Sequence, residues 1–253
     1  MDDSLENSTN PNSTGAKCMP FTKDEPMDIK VVKAACYSII MLISLLGNSA
    51  LIAIVARYKH MQTTTNLLIA NMAISDLMVS AFAVPRELAQ IFTGVQRWLI
   101  DGTAGVILCK LVYFFQDIST AVSIQSILVI TVDRYTGVVQ PYRDPIITPR
   151  RRRVLIPLIW LIAMGLHGIY FYTFRLKKVN NIRYCIFTWE PAFDSLQAQR
   201  VYFVAISVIL IVIPLAVITV LYSLMFRSII KQRSFWKTEI GRASCRERVY
   251  VLV

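Results

Sequence analysis

The sequence predicts an all-α membrane protein, and three observations carry that class. Hydrophobic residues make up 55% of the chain against 17% charged, with mean hydropathy +0.51, more apolar surface than water can cover. Five apolar stretches, at about 31–56, 67–92, 106–132, 154–174 and 201–226, each approach or exceed the roughly 20 residues a helix needs to cross a bilayer. The net charge of +11 sits in short segments between those stretches, which fits membrane topology and argues against nucleic acid as a partner.

Residues 1–30 are polar, of mixed charge and without the apolar centre of a signal peptide, so the first span is expected to direct insertion. Two N-glycosylation sequons, Asn7-Ser8-Thr9 and Asn12-Ser13-Thr14, place this tail outside. Arg57, Lys59 and His60 follow span one, Arg143 and Arg150 to Arg153 follow span three, and Arg227, Lys231 and Arg233 follow span five. The positive-inside rule makes those three sides cytoplasmic. The loop after span four is basic as well (Arg175, Lys177, Lys178, Arg183), so orientation there rests on the span count and the sequons. Arg150 to Arg153 are expected to face anionic head groups, at about 1 kcal/mol each. Cys36 reads as apolar filler within span one, and Cys18 in the tail has no evident partner.

Span three ends in Asp133-Arg134-Tyr135. An acid–base pair is costly inside lipid, so its place at the end of a long apolar helix points to a switch at the cytoplasmic water boundary. Gly47-Asn48 lies in span one, Asn71 and Ala73-Ile74-Ser75-Asp76-Leu77 in span two, Val138 and Pro141 behind the triplet, Trp160 in span four, and Pro214 with Tyr222 eight residues on in span five. This set of motifs resembles the rhodopsin-like G-protein-coupled receptors over about residues 31–234. The resemblance implies a seven-transmembrane-helix receptor bundle of which helices 1–5 are present. It also implies a multi-pass plasma-membrane location with the N-terminus extracellular, a heterotrimeric G protein as partner, and no enzymatic role.

The same resemblance assigns roles that stand beside plainer readings. Asp76 is a lone carboxylate in mid-span, costly to ionise without a partner or a cation. It reads either as a protonated acid bonded to Asn48, gluing two helices, or with Asn48 and Ser123 as part of a sodium and water cluster, Ser119 lying one turn away. Asp133 and Arg134 read either as an exposed intrahelical pair worth tenths of a kcal/mol, or as a resting-state lock. In the lock, Arg134 is released toward the G protein and Tyr222, with Tyr135 and Pro141 in the same coupling region. Ile124 and Pro214 match the family's activation relay, although a proline also kinks a helix with no signalling role. From Cys109 to Arg134 is 25 residues, about 37 Å of helix, so Cys109 is outside if Arg134 is inside. Cys185 lies in the oxidising outer loop, and a Cys109–Cys185 disulfide is expected.

Gln116 occupies the position where amine receptors of the family carry an aspartate, and Asp117 is turned ~100° away on the helix. With Trp189 and a long aromatic, basic outer loop, this resembles neuropeptide receptors; an amine, lipid or light stimulus is the alternative, and ordinary solvated surface is the plain reading of the loop. Two departures bear on local geometry. Trp98 is followed by Gly102 one place later than the family pattern, and span four lacks the usual outer proline, having Gly168, Ile169 and Tyr170 instead.

No apolar run after about residue 233 is long enough for a sixth span. Residues 235–253 are expected to be a truncated third intracellular loop, artefactual from Glu239, which leaves a non-signalling fragment as a further alternative. A polytopic transporter is the reading outside the receptor class. Such folds often show internal repeats, and none is evident between these spans. An intramembrane enzyme is disfavoured, because His60 and His167 fall near opposite membrane sides.

Overall fold

The computed structural model describes residues 25–140, 142 and 146–250, with side chains described as far as Gln232. The sequons at Asn7 and Asn12, Cys18, Pro141 and Arg143 lie outside the described residues. Five helical spans are long and apolar enough to cross a membrane: Met27–Arg57, Thr64–Thr93, Gly102–Val139, Pro149–Thr173 and Ser195–Gln232. The helices begin at 27, 64, 102, 149 and 195, ahead of hydropathy starts at 31, 67, 106, 154 and 201.

Capping explains the difference for four of the five spans. Thr63 accepts from Asn66 N at 3.2 Å and Thr148 from Arg151 N at 3.3 Å. Asp101 accepts from Gly102 N at 2.7 Å, and Asp194 from Leu196 N and Gln197 N at 3.0 and 3.2 Å. Each side chain satisfies donors that a helix start leaves orphaned, so the helix begins in the polar flank before the apolar run.

Span one is α1 (Met27–Arg57). Span two is α2 (Thr64–Met78), a π-helical turn (Val79–Ala83) and α3 (Val84–Thr93). Span three is α4 (Gly102–Val139); span four is α5 (Pro149–His167) and the short α6 (Tyr170–Thr173). Span five is α7 (Ser195–Ser207), a second π turn (Val208–Val212) and the start of α8 (Ile213–Tyr250). Each π turn ends two residues before a proline, Pro85 or Pro214. A proline lacks the N–H and crowds the carbonyl four residues back, and a wider turn relieves both. Pro157 sits inside α5 without such a turn.

Helix α4 is the axis of the fold, packing on α2, α5, α8 and the first strand. Leu68, Ala121, Val122 and Ala163 are fully enclosed around it, the alanines letting backbones approach closely where apolar chains gain little from leaving lipid. The outer spans turn apolar side chains outward instead: Leu46 is 73% exposed and Val204 64%. That is the expected surface of helices facing hydrocarbon.

The loop after span four carries regular structure. It is an antiparallel hairpin of β1 (Phe174–Val179) and β2 (Ile182–Phe187), joined through Asn180 and Asn181 at φ 48° and 64°. Two consecutive positive-φ residues make the turn whose twist matches paired strands, and asparagine tolerates that region. From 235 to 250 the backbone is helical: α8 continues to Tyr250, through lysine, arginine, glutamate and alanine with no proline.

The late glycine after Trp98 also has a structural account. Trp98 N donates to Arg183 O at 2.8 Å and Cys185 N to Gln96 O at 2.9 Å, so this loop lies along β2. Gly102, at φ 65°, then starts α4, and a Cβ at Gly105 would collide with the Ile100 carbonyl. In place of the absent proline, Gly168 and Ile169 interrupt the helix between α5 and α6.

Candidate functional site

Three clusters line α4 from its N-terminal to its C-terminal end. At the N-terminal end, Cys109 and Cys185 form a disulfide with Cα atoms 5.7 Å apart, tying β2 to α4. Tyr113 stacks on Phe174 with centroids 4.2 Å apart, and Tyr170 meets Phe174, Phe187 and Tyr202. Trp189 packs against Phe187 and Tyr202, so it belongs to the same aromatic wall. Such rings bury large apolar area while Tyr and Trp keep a polar handle.

Gln116 and Asp117 face different partners, as a 100° step requires. Gln116 Oε1 accepts from Arg86 Nη2 at 2.8 Å; Asp117 Oδ2 accepts from Tyr170 OH at 2.5 Å. Arg86 also pairs with Glu87 and lies 4.3 Å from the centre of the Tyr113 ring. A cavity of about 170 Å³ below is lined by Asp117, Ile124, Tyr170 and Phe203. Ile124 therefore lies directly under the aromatic wall, while Pro214 is buried beyond the second π turn.

At mid-depth, Ser123 Oγ donates to Asp76 Oδ1 at 3.5 Å and shares a 2.8 Å hydrogen bond with Ser75 Oγ. Ser119 donates to the Ser75 carbonyl at 2.5 Å. Asn48 does not join Asp76: its amide donates to Ser44 O and Oγ at 2.9 and 3.0 Å, and Ser80 donates to that same Ser44 hydroxyl at 2.7 Å. The expected Asn48–Asp76 bond is thus replaced by a serine bridge, because a serine one turn before Asn48 satisfies its amide locally. Oxygen donors of Asp76 and Ser123 suit a hard cation, and the Asn48 amide nitrogen is engaged by Ser44.

Toward the C-terminal end of α4, Asn71 joins three spans. Its amide donates to Ser126 Oγ at 3.0 Å, and its oxygen accepts from Trp160 Nε1 at 2.8 Å. Below it, Arg134 Nη2 donates to Thr65 Oγ1 at 2.8 Å. Among the described residues no ion pair joins Asp133 to Arg134, so the expected neighbour lock is not what holds the guanidinium. Consecutive helix positions diverge by about 100°, and the long arginine reaches α2 instead. Tyr135 is partly buried beside it, and Tyr222 is 52% exposed on α8, in no hydrogen bond with Arg134.

The sequence reading missed Arg86, Thr65 and Tyr170. The adjacent charges Arg86 and Glu87 beside Pro85 in an apolar span were a signal for the first, since charges within a span face a bundle interior. Nothing local marks Thr65 or Tyr170, whose partners are 69 and 53 residues away.

The profile of the family described as 7 transmembrane receptor (rhodopsin family) matches residues 47–252. Among curated proteins, the chain is 32% identical over 216 residues to the pyroglutamylated RF-amide peptide receptor of Rattus norvegicus, covering 83% of this chain and 48% of that protein. It is 29% identical to the QRFP-like peptide receptor of Branchiostoma floridae over 76% of the chain and 50% of the relative. It is 27% identical to human neuropeptide FF receptor 1 over 88% and 53%. The chain spans about half the length of the curated relatives it matches.

Proposed function

The chain belongs to the rhodopsin family of seven-transmembrane receptors, and from that premise we propose that it senses an extracellular peptide and passes the signal to a heterotrimeric G protein. The observation that carries the ligand class is the treatment of Gln116 and Asp117. Gln116 brings no charge and is engaged by Arg86, while Asp117, turned to another side of α4, binds the Tyr170 hydroxyl. The aromatic wall under a hairpin suits a larger, partly apolar ligand, and the names of the relatives, all peptide receptors, support the same reading.

In this reading the N-terminal tail is extracellular and glycosylated at Asn7 and Asn12, and the protein sits in the plasma membrane. Asp133, Arg134, Tyr135, Pro141 and Tyr222 form the G-protein switch, with Ile124 and Pro214 relaying ligand binding to it. Asp76, Asn48 and Ser123 would form a sodium and water cluster that favours the resting state, with Asp76 supplying the charge. The test is agonist-driven nucleotide exchange by the receptor expressed from its complete reading frame and challenged with a neuropeptide collection and a monoamine collection. Activation by a peptide is expected; activation by monoamines alone would overturn the ligand class.

A further inference from the structure

Among the described residues, four buried side-chain polar atoms lack a hydrogen-bond partner: Arg86 Nε, Gln90 Nε2, Trp98 Nε1 and Trp189 Nε1. All four are N–H donors, and all lie at the outer end of the bundle. Buried donors are normally satisfied, and two of these, Arg86 Nε and Trp98 Nε1, belong to residues lining one cavity, which marks a place where an acceptor arrives from outside the chain. Gln90 is one turn from Arg86 on the same face of α3, and Trp98 shares a cavity wall with Arg86.

That cavity, about 370 Å³, is bounded mainly by apolar side chains, including Phe82, Pro85, Leu108 and Val112. Arg86 and Arg97 supply its charge, and Glu87 is the acid in contact with Arg86. The Arg86 side chain is only 9% exposed, whereas Glu87 is 37% exposed. Both hydrogen bonds of the guanidinium, to Glu87 and to Gln116, leave through Nη2. Nε remains unused, and the Tyr113 ring fixes the plane of the group. A desolvated guanidinium with an open N–H edge above an apolar floor matches a carboxylate attached to an apolar group.

We propose that Arg86 is the anchor for a ligand carboxylate, whose attached apolar group fills the cavity between α3, α4 and the Trp98 loop. The carboxylate comes from the C-terminus of a peptide or from an acidic side chain within it. This deepens the peptide-receptor reading but is tested without the G protein, so its failure leaves that reading standing.

The experiment uses the full-length receptor in lipid nanodiscs and saturation-transfer NMR with three probes: N-acetylphenylalanine, N-acetylphenylalaninamide and N-acetylglutamylphenylalaninamide. At least one carboxylate probe should bind saturably, about tenfold tighter than the neutral amide. Whichever acid wins identifies the source. Arg86→Gln should reduce its affinity to the amide level, Arg86→Lys should retain part of it, and Glu87→Gln, which frees the guanidinium, should raise it. The proposal is overturned if the amide matches both acids, if neither acid saturates, or if Glu87→Gln leaves acid binding unchanged; this last arm stands even if Arg86→Gln fails to fold.

Discussion

Arg134 Nη2 donates to Thr65 Oγ1 at 2.8 Å, so the guanidinium near the C-terminal end of α4 is held by α2, 69 residues away in sequence. If this contact restrains the switch, Thr65→Val should raise basal nucleotide exchange several-fold, equivalent to about 1 kcal/mol for one hydrogen bond at a partly exposed site. Thr65→Ser, which keeps the hydroxyl, should stay at the parent level. Equal basal rates in all three receptors would mean the contact does not hold the resting state.

The Cys109–Cys185 bridge closes a loop of sequence separation 76 and fastens the hairpin over α4. Cys109→Ala or Cys185→Ala should lower stability by about 4 kcal/mol on the loop-entropy account. Thermal melting in detergent, with surface delivery measured alongside, checks this. Trp98 N to Arg183 O and the Asp101–Arg183 ion pair still hold the hairpin, so partial peptide binding should survive.

Asn71 is 4% exposed and bonded to two other spans at once. Asn71→Ala leaves Ser126 and Trp160 without their partners and should cost about 2 kcal/mol or more. Trp160→Phe removes one of these bonds and should cost less. A melting temperature unchanged in both variants contradicts the packing account.

Asp76 and Ser123 are the oxygen donors proposed for sodium. Raising NaCl at constant ionic strength should weaken agonist binding to the parent receptor several-fold if the ion favours the resting state by about 1 kcal/mol. Asp76→Asn should abolish the dependence.

The tail sequons give a test of orientation. Digestion with a peptide-N-glycosidase should shift the receptor on a gel, and replacement of both Asn7 and Asn12 by Gln should remove the shift. An unshifted band from intact cells would place the tail inside.

Much of the fold was legible because a bilayer imposes one rule on every spanning segment: apolar side chains outside and backbone bonds inside. That rule locates Leu46 and Val204 on helices whatever their neighbours are. The helix starts were legible too, in Thr63, Asp101, Thr148 and Asp194, once capping was weighed with hydropathy. The hairpin was written in the Asn180-Asn181 pair between two runs rich in aromatic and branched residues, a local signal that the basic charges obscured.

By itself, then, the sequence determined which segments span and the family whose motifs they carry, both of them properties of short windows. Which partner each polar side chain chose was decided only in the tertiary structure. Arg134 could pair with its neighbour or cross to Thr65, and Asn48 could reach Asp76 or turn to Ser44. Each alternative satisfies the same donors. A difference of about 1 kcal/mol in geometry and packing selects one, and that difference exists only once the helices stand side by side.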